Sequence, residues 1–280
     1  MFCAALVLLA RWSQADHRPI GDFEVPIHFR EGLIWLAVDL PLSGGKLNFL
    51  LDSGSSANVV SIETVRRLGL PLGGRVNVAG VGKTVTGYWP MQMTTSLGGL
   101  RLPGDFLALD LKKLSKACQR PVDGLVGADF FRGRVVEIDY EEQRLRILNG
   151  LSPSDKNHFI PLESGPCGFC VAVSVNGGRR QPVRVDTGCA TTLQWVIQGA
   201  QTRPRHGTQA VGLSDLLIPQ TMTSIRVGDR CFDTVPTGLH SKSIFPGEAG
   251  LLGNGFLAQF GAVAFDAGSG RLCLGRVRTP

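Results

Sequence analysis

The sequence lacks the residue groupings that several common classes of enzyme and binding protein require. Its five histidines are widely separated, and neither a His-Glu-x-x-His segment nor a Ser-His-Asp grouping is visible, so a zinc protease or a serine hydrolase has no local support. The 29 lysines and arginines give a net charge of +6, but they occur in pairs at most, without interleaved aromatic residues. Solvated surface charge is therefore favoured over a nucleic-acid or other polyanion site.

A phosphate-binding loop is also disfavoured, although the chain contains one glycine-rich run at residues 80–84. A Walker A loop needs a glycine five residues before Gly82, where this chain has Asn77. Gly87 and Pro90 follow where a helix should start. Nucleotide binding is not expected.

No stable membrane span is expected, because the apolar run at residues 1–10 is too short to cross a bilayer as an ordinary helix. Residues 13–15 place small side chains three and one before a possible cleavage point. We interpret residues 1–15 as a signal peptide without the usual basic end, and predict an extracytoplasmic location, periplasmic or secreted. The alternative is a disordered or core-packing N-terminus of a cytosolic protein.

Cysteine usage is compatible with an oxidising compartment. Removing residues 1–15 would take Cys3 and leave six cysteines, an even number that suits disulfides. Six cysteines allow fifteen connectivities, and the sequence selects none. Only Cys118 lies in the first half, so one bridge would join the halves if all six paired. Cys167 and Cys170 also have Cys-x-x-Cys spacing, but no βαβ pattern or second ligand pair supports a redox or zinc site.

Two short runs carry the most information. Residues 49–54 read Phe-Leu-Leu-Asp-Ser-Gly and residues 183–188 read Val-Arg-Val-Asp-Thr-Gly. Each ends an apolar, strand-like segment in an acid, a small hydroxyl and a glycine. Either run alone would be an ordinary turn sequence, so their significance depends on what accompanies them.

The sequence downstream of each run is also repeated. Asp-Gly-Leu-Val-Gly-Ala-Asp-Phe-Phe at residues 123–131 corresponds to Ala-Gly-Leu-Leu-Gly-Asn-Gly-Phe-Leu at residues 249–257. The segments that close the halves correspond as well, Arg-Leu-Arg-Ile at 144–147 matching Arg-Leu-Cys-Leu at 271–274. The halves are therefore duplicated, with a few residues of length difference between acid and glycine.

Composition favours an all-β fold. Many glycines and prolines punctuate short runs of Val, Leu, Ile and Phe, and 280 residues suffice for two cores of about 125 residues each. We predict two pseudo-symmetric lobes with a few short helices, the clearest at residues 61–70 with Ser61 as its cap. A polar, turn-rich segment at 149–157 places the boundary between lobes at 16–150 and 151–280.

The order of these features resembles that of the aspartic peptidases, the superfamily of pepsin and the retroviral proteases, over roughly residues 23–277. Each lobe in that superfamily contributes Asp-Thr/Ser-Gly, a flap hairpin, and then two apolar residues and a glycine that pass behind the acid loop. The matching positions are 52–54 with 125–127, and 186–188 with 251–253. The resemblance implies lobes of the acid protease barrel type whose acids face each other.

Two adjacent carboxylates suit hydrolysis of peptide bonds. Ionising both of two carboxyl groups a few ångströms apart costs free energy, because the two negative charges repel each other. The pair therefore shares one proton. The ionised acid can activate a water, while the protonated acid bonds the carbonyl oxygen and helps the amine leave. We therefore expect an aspartic endopeptidase with Asp52 and Asp186 as catalytic residues. It requires no metal or cofactor, and a monomer is sufficient because one chain supplies both acids.

The residues next to the acids suit this chemistry. Gly54 and Gly188 are expected to let the backbone run close to the acids and to offer N–H groups to their oxygens. The resemblance implies that the hydroxyls of Ser53 and Thr187 reach across to the opposite loop and lock the two halves together.

The two acid loops differ at their fourth position. Ser55 is expected to hydrogen-bond Asp52 and stabilise its charged form, whereas the equivalent Cys189 is a poor donor. This asymmetry favours Asp52 as the member of the pair with the lower pKa, although the sequence does not establish which acid starts ionised.

A glycine-rich hairpin is expected to cover the substrate. Residues 78–85, with Gly80, Val81 and Gly82 at their centre, are the predicted flap of the first lobe. Residues 206–213 occupy the corresponding place in the second lobe, where an ordinary surface hairpin is an equally good interpretation. Two flaps of similar size would look more retroviral than pepsin-like.

The alternative to an enzyme is a catalytically inactive module of the same fold that binds peptides or has a structural role. Both acids and both neighbouring hydroxyls are present, which favours the enzyme, because a binding scaffold has no physical need for two adjacent buried acids. Fold alone does not decide between these functions. In either case the expected partner is a peptide or protein.

Overall fold

Strands dominate the computed structural model, which describes residues 2–3, 23–41, 44–80, 83–103, 105–151, 159–165, 168–197, 206–211 and 216–275. Within these residues, 25 strands are accompanied by three short α-helices. The predicted all-β class with a few short helices is confirmed. Most of the predicted signal segment lies outside the described residues, which include only Phe2 and Cys3 of it.

The described residues of the first half form fourteen strands and two α-helices. They are β1 (Phe2–Cys3), β2 (Phe23–Pro26), β3 (His28–Arg30), β4 (Leu33–Asp39), β5 (Lys46–Leu51), β6 (Asn58–Ser61), α1 (Ile62–Arg67), β7 (Gly74–Gly80), β8 (Lys83–Gln92), β9 (Ser96–Leu97), β10 (Leu100–Arg101), β11 (Asp105–Leu109), α2 (Lys112–Ala117), β12 (Gly124–Val126), β13 (Val135–Asp139) and β14 (Arg144–Leu148). A 3-10 turn at Ala128–Phe130 follows β12.

The second half, where the structure describes it, contains eleven strands and one α-helix. They are β15 (Phe159–Pro161), β16 (Glu163–Gly165), β17 (Gly168–Val175), β18 (Gln181–Asp186), β19 (Leu193–Val196), β20 (His206–Val211), β21 (Leu216–Val227), β22 (Arg230–His240), β23 (Gly250–Gly253), α3 (Asn254–Leu257), β24 (Ala262–Asp266) and β25 (Arg271–Leu274).

The two large sheets repeat one strand order. The first contains β7-β8-β11-β6-β12-β5-β4 and the second contains β20-β21-β22-β19-β23-β18-β17. In each sheet the strand that leads to an acid pairs in parallel with the short strand of the glycine motif, β5 with β12 and β18 with β23. That short strand is antiparallel to the strand after the acid loop. The duplication read from the sequence is therefore present in the backbone.

The first half has additional elements between its acid and its glycine motif. The hairpin β9–β10 lies between β8 and β11, and α2 lies between β11 and β12. In the second half, β21 turns directly into β22. These insertions account for the difference in spacing between the two halves.

A third sheet joins the halves. Its strand order is β15-β25-β24-β13-β14-β2, and the central contact is the antiparallel pair of β13 and β24, with Val136 opposite Phe265. The strand β13 buries Val136 and Ile138 on one face, as its alternating sequence requires. One apolar cluster runs through both halves, and in it the ring of Phe131 lies 4.9 Å from that of Phe265.

The predicted helix after the first acid loop is confirmed at its start and is shorter than expected. Ser61 caps it by accepting a hydrogen bond from the Glu63 N–H at 3.2 Å. The helix ends at Arg67 because Gly69 adopts a φ of +66° and the Leu70 N–H turns back to the Val65 carbonyl.

The six cysteines do not all form disulfides in the structure. Cys118, Cys189 and Cys231 are free thiols. Cys118 packs against an apolar cluster that includes Trp35, so its position is explained by burial and not by a bridge to the second half.

None of the helices within the described residues combines the length and the hydropathy needed to traverse a bilayer.

Candidate active site

The structure brings Asp52 and Asp186 together at the ends of equivalent strands. Asp52 directly follows β5 and Asp186 is the last residue of β18; both are buried, and they lie close enough for each carboxyl group to shift the pKa of the other. A β-carbon added to Gly54 would lie 2.5 Å from the carboxyl carbon of Asp186, and one on Gly188 would overlap the carboxyl carbon of Asp52. Each glycine therefore permits the opposite acid to approach.

The second residues of the two acid loops connect the loops symmetrically. Ser53 Oγ donates to the Val185 carbonyl at 2.8 Å, and Thr187 Oγ1 donates to the Leu51 carbonyl at 2.9 Å. The Ser53 N–H donates to Thr187 Oγ1 at 2.9 Å, and the Thr187 N–H donates to Ser53 Oγ at 3.1 Å. These four hydrogen bonds are all buried, so the distance between the loops is fixed from both sides.

Backbone donors favour negative charge on Asp52 over Asp186. Asp52 Oδ1 accepts hydrogen bonds from the N–H groups of Gly54 and Ser55, each at 3.0 Å. Asp186 Oδ1 accepts one from the Gly188 N–H at 2.8 Å. The Ser55 and Cys189 N–H groups both donate to the main-chain carbonyl of their own acid, at 3.1 Å and 3.2 Å, but Ser55 also shares its N–H with Asp52 Oδ1. Hydrogen bonds to a carboxylate stabilise its charged form, and Asp52 receives more of them.

The fourth residue of the first loop hydrogen-bonds Asp52 as expected, but through its backbone N–H and not through its hydroxyl. Ser55 bonds Asp52 through its backbone N–H, but its hydroxyl donates to the nearby Ala57 carbonyl at 2.8 Å. Cys189 Sγ lies 3.1 Å from Thr191 Oγ1. Burial, followed by the charge of Asp186, raises the pKa of the Cys189 thiol to about 12. The asymmetry of the loops therefore comes from their backbone donors.

The backbone hydrogen bonds and the burial of the pair together favour Asp186 as the acid that holds the shared proton. Burial raises the pKa of Asp52, and hydrogen bonds from Asp186 and from the loop N–H groups oppose that rise. Burial and then the charge of Asp52 raise the pKa of Asp186 well above its ordinary value. Asp186 Oδ2 is buried and has no hydrogen-bond partner among the described residues. An ionised Asp52 beside a protonated Asp186 satisfies all of these constraints.

This arrangement predicts a pH-dependent stability difference for Asp186→Asn. A carboxyl whose pKa is raised by folding stabilises the fold below its unfolded pKa, and this contribution is lost as pH rises through the folded pKa. Asparagine does not titrate, so the variant does not lose this stability. The free energy of unfolding of the variant minus that of the wild type should therefore increase from acidic to neutral pH. The gain is limited to about 1.4 kcal/mol per pH unit for one proton. Urea denaturation at a series of pH values measures it.

The matched control is Asp266→Asn, because Asp266 is a buried acid outside the pair whose Oδ1 accepts the Ser269 N–H. An Asp186→Asn difference from wild type that stayed constant over the whole pH range would contradict the assignment of the proton.

Asn254 is a site residue that the sequence analysis missed. Its Nδ2 donates to the carbonyls of Thr187 at 2.6 Å and Gly32 at 2.8 Å, and its Oδ1 accepts from the Tyr140 hydroxyl at 2.9 Å. The first half has Ala128 at the matching position. This break in the repeat, an amide directly after the second glycine motif, was the available sequence signal, and the structure shows that the amide is fully buried.

Both predicted flap segments belong to hairpins. In the first, β7 and β8 pair up to Gly80 opposite Lys83, while Val81 and Gly82 lie outside the described residues. In the second, β20 pairs with β21 up to Val211 opposite Leu216, and residues 212–215 are likewise outside the description. A covering role for either hairpin stays a prediction.

The duplicated β fold with two buried, contacting acids is the class of structure that the sequence resemblance implied. A family model described as aspartyl protease matches residues 38–130, which include the first acid loop and the first glycine motif. No curated protein gives a significant match. The family match supports assigning the chain to the aspartic peptidase superfamily, as predicted, and suggests a peptide-hydrolysing activity.

Proposed function

We propose that the chain is an aspartic endopeptidase that hydrolyses peptide bonds with a water activated between Asp52 and Asp186. The observation that supports this most strongly is the buried contact between the two carboxyl groups. A pair of acids held in this way is costly to a fold, since burial disfavours their charged forms. Proton transfer to and from a substrate gives the pair a chemical use.

The residues divide the proton transfers between them. Ionised Asp52 accepts a proton from a water as the water oxygen attacks the peptide carbonyl, and Asp186 donates its proton to the carbonyl oxygen. The resulting tetrahedral intermediate collapses as the proton held by Asp52 passes to the leaving nitrogen and Asp186 recovers its own. The C–N bond breaks, and the pair returns to its initial state with one shared proton.

The substrate is proposed to be an extended peptide or protein segment that lies between the acids and the first hairpin, β7–β8, acting as a flap. We retain the division into lobes at 16–150 and 151–280, and an active monomer, because one chain contributes both acids. An extracytoplasmic location is proposed from the sequence of residues 1–15 alone.

Cleavage of a peptide library by the purified full chain, from acidic to neutral pH, tests the proposal. We expect internal cleavage that depends on pH and is fastest where one carboxyl of the pair is protonated and the other ionised. The same assay is repeated with the inhibitor pepstatin. Acid-dependent cleavage that pepstatin does not inhibit would still agree with the proposal.

The inactive-module alternative predicts a different outcome. A well-folded chain that cleaves no peptide at any pH, and behaves identically as Asp52→Asn, would overturn the endopeptidase proposal. Peptide binding by that same chain, measured by fluorescence anisotropy, would then identify it as a binding module.

A further inference from the structure

Arg184 lies on the strand that leads to the second acid, and the matching strand of the first half has no charged residue at this position. It lies two residues before Asp186 on β18, and because side chains alternate along a strand, the two side chains share a face. Only 1% of Arg184 is exposed. The matching residue before Asp52 is Leu50, which packs in an apolar cluster. Within the described residues, the duplicated fold therefore places a buried cation on the strand before Asp186 and an apolar side chain at the matching position before Asp52.

Among the described residues, the guanidinium group of Arg184 contacts Glu248, Phe245 and Gly54. Nε donates to Glu248 Oε2 at 2.8 Å, and Nη2 donates to Glu248 Oε1. The guanidinium carbon lies 4.0 Å from the centre of the Phe245 ring. Nη1 donates to the carbonyl of Gly54 at 2.8 Å. One buried side chain thus links the second half of the protein to the loop that carries Asp52.

Stability alone does not account for this ion pair. Burying an arginine and a glutamate costs desolvation free energy that offsets much of their attraction, and apolar replacements of such pairs are often neutral or stabilising. Leu50 demonstrates that the repeated fold accommodates an apolar side chain at this position. The distinctive consequence of Arg184 is therefore the hydrogen bond that it makes to Gly54.

That hydrogen bond acts on the peptide group that faces Asp52. The carbonyl of Gly54 and the N–H of Ser55 belong to one planar trans peptide, in which they point in opposite directions. Arg184 holds the carbonyl end, and the N–H end is shared between Asp52 Oδ1 at 3.0 Å and the Asp52 main-chain carbonyl at 3.1 Å. Fixing the oxygen therefore directs the N–H, and a cation at the oxygen strengthens the N–H as a donor.

We propose that Arg184 is a positioning residue for the hydrolysis proposed above, because it orients the peptide of Gly54 and Ser55 so that Asp52 remains the proton acceptor of the pair. This inference depends on the proposed function. Among the described residues, the charged and titratable groups around this connection are Asp52, Asp186, Glu248 and the neutral thiol of Cys189. The charge of Arg184 also lowers the pKa of Asp186 directly, but by less than burial and the charge of Asp52 raise it.

The double variant Arg184→Met with Glu248→Gln tests this role without leaving an unpaired buried charge. Without the oriented N–H and the cation, the charged form of Asp52 is less stable. The lower of the two pKa values of the acid pair should therefore rise, so that the second proton binds at higher pH. We expect the acid limb of the kcat/KM profile to move to higher pH, with about a tenfold loss of kcat/KM on the acid side of the optimum. The loss at the optimum should be smaller.

Arg184→Lys is the conservative variant, because it keeps the positive charge. It provides the test if the double variant fails to fold. One ammonium group lacks the planar fork that contacts both Glu248 and Gly54, so its acid limb should move in the same direction by less. Arg146→Met is the matched control, because Arg146 also binds several carboxylates but lies on the third sheet. Its profile should keep the wild-type shape.

A measurement that needs no turnover separates this inference from the proposed function. Carbon-13 NMR of labelled aspartate carboxyls should show the lower titration step of the acid pair at higher pH in the Arg184 variants than in wild type. An unchanged NMR titration, or an activity loss that is equal at every pH, would overturn the positioning role. Absence of cleavage by wild type together with a shifted NMR titration would reject the proposed activity and retain the effect of Arg184 on the pair.

Discussion

Replacing Asp52 by asparagine is expected to lower kcat/KM for peptide cleavage by about a thousandfold or more, because a general base is lost from the reaction. The amide oxygen of asparagine can still accept the N–H groups of Gly54 and Ser55, which donate to Asp52 Oδ1 in the wild type. The fold should therefore persist while proton acceptance from water is lost. Asp186→Asn should cause a loss of similar size, since it removes the proton donor.

The same Asp266→Asn variant serves as the control for activity. It exchanges a buried carboxyl for an amide outside the acid pair, so its kcat/KM should stay within about a factor of three of wild type. Circular dichroism should show that all three variants are folded. Retention of substantial cleavage by a folded Asp52→Asn or Asp186→Asn variant would contradict the assigned roles.

The second large effect is expected for Thr187→Val, which keeps the side-chain shape and removes the hydroxyl. The hydroxyl donates to the Leu51 carbonyl and accepts from the Ser53 N–H. Both backbone groups would be left buried without their partner, at a cost of about 2–4 kcal/mol in the free energy of unfolding. Because the loops would then settle at a different separation, kcat/KM should also fall by about a hundredfold.

Thr187→Ser is the matched control for this prediction. It retains the hydroxyl, and Ser53 performs the equivalent role in the first loop, so the free energy of unfolding should fall by about 1 kcal/mol or less. Urea denaturation and steady-state kinetics measure the two effects. A valine variant as stable and as active as the serine variant would show that the crossed hydrogen bonds do not fix the distance between the acids.

The repeated architecture could be predicted because its signals are local and occur twice. Two acid triplets, each followed by a Gly-Leu motif, require two equivalent arrangements of three strands, and both are present. The glycines next to the acids could also be anticipated, since only a residue without a β-carbon allows the observed approach. These features follow from backbone sterics, which a short sequence encodes directly.

The asymmetry around the acids was harder to predict because it depends on contacts that are distant in sequence. Arg184 stands in an otherwise apolar run, and only the fold shows that its partners are Glu248 and Gly54. Asn254 likewise joins segments from both halves of the chain. A charged or amide side chain that breaks an apolar repeat was the signal in both cases, but its partners were not encoded nearby.

The most direct test of the shared proton is the pH titration of the two carboxyl groups by carbon-13 NMR, with signals assigned from Asp52→Asn and Asp186→Asn. Two contacting acids should titrate in two widely separated steps, and each signal should respond to both steps. The upper step should lie well above the ordinary range of aspartate, in keeping with the raised pKa of Asp186. Two independent titrations at ordinary aspartate values would contradict the account.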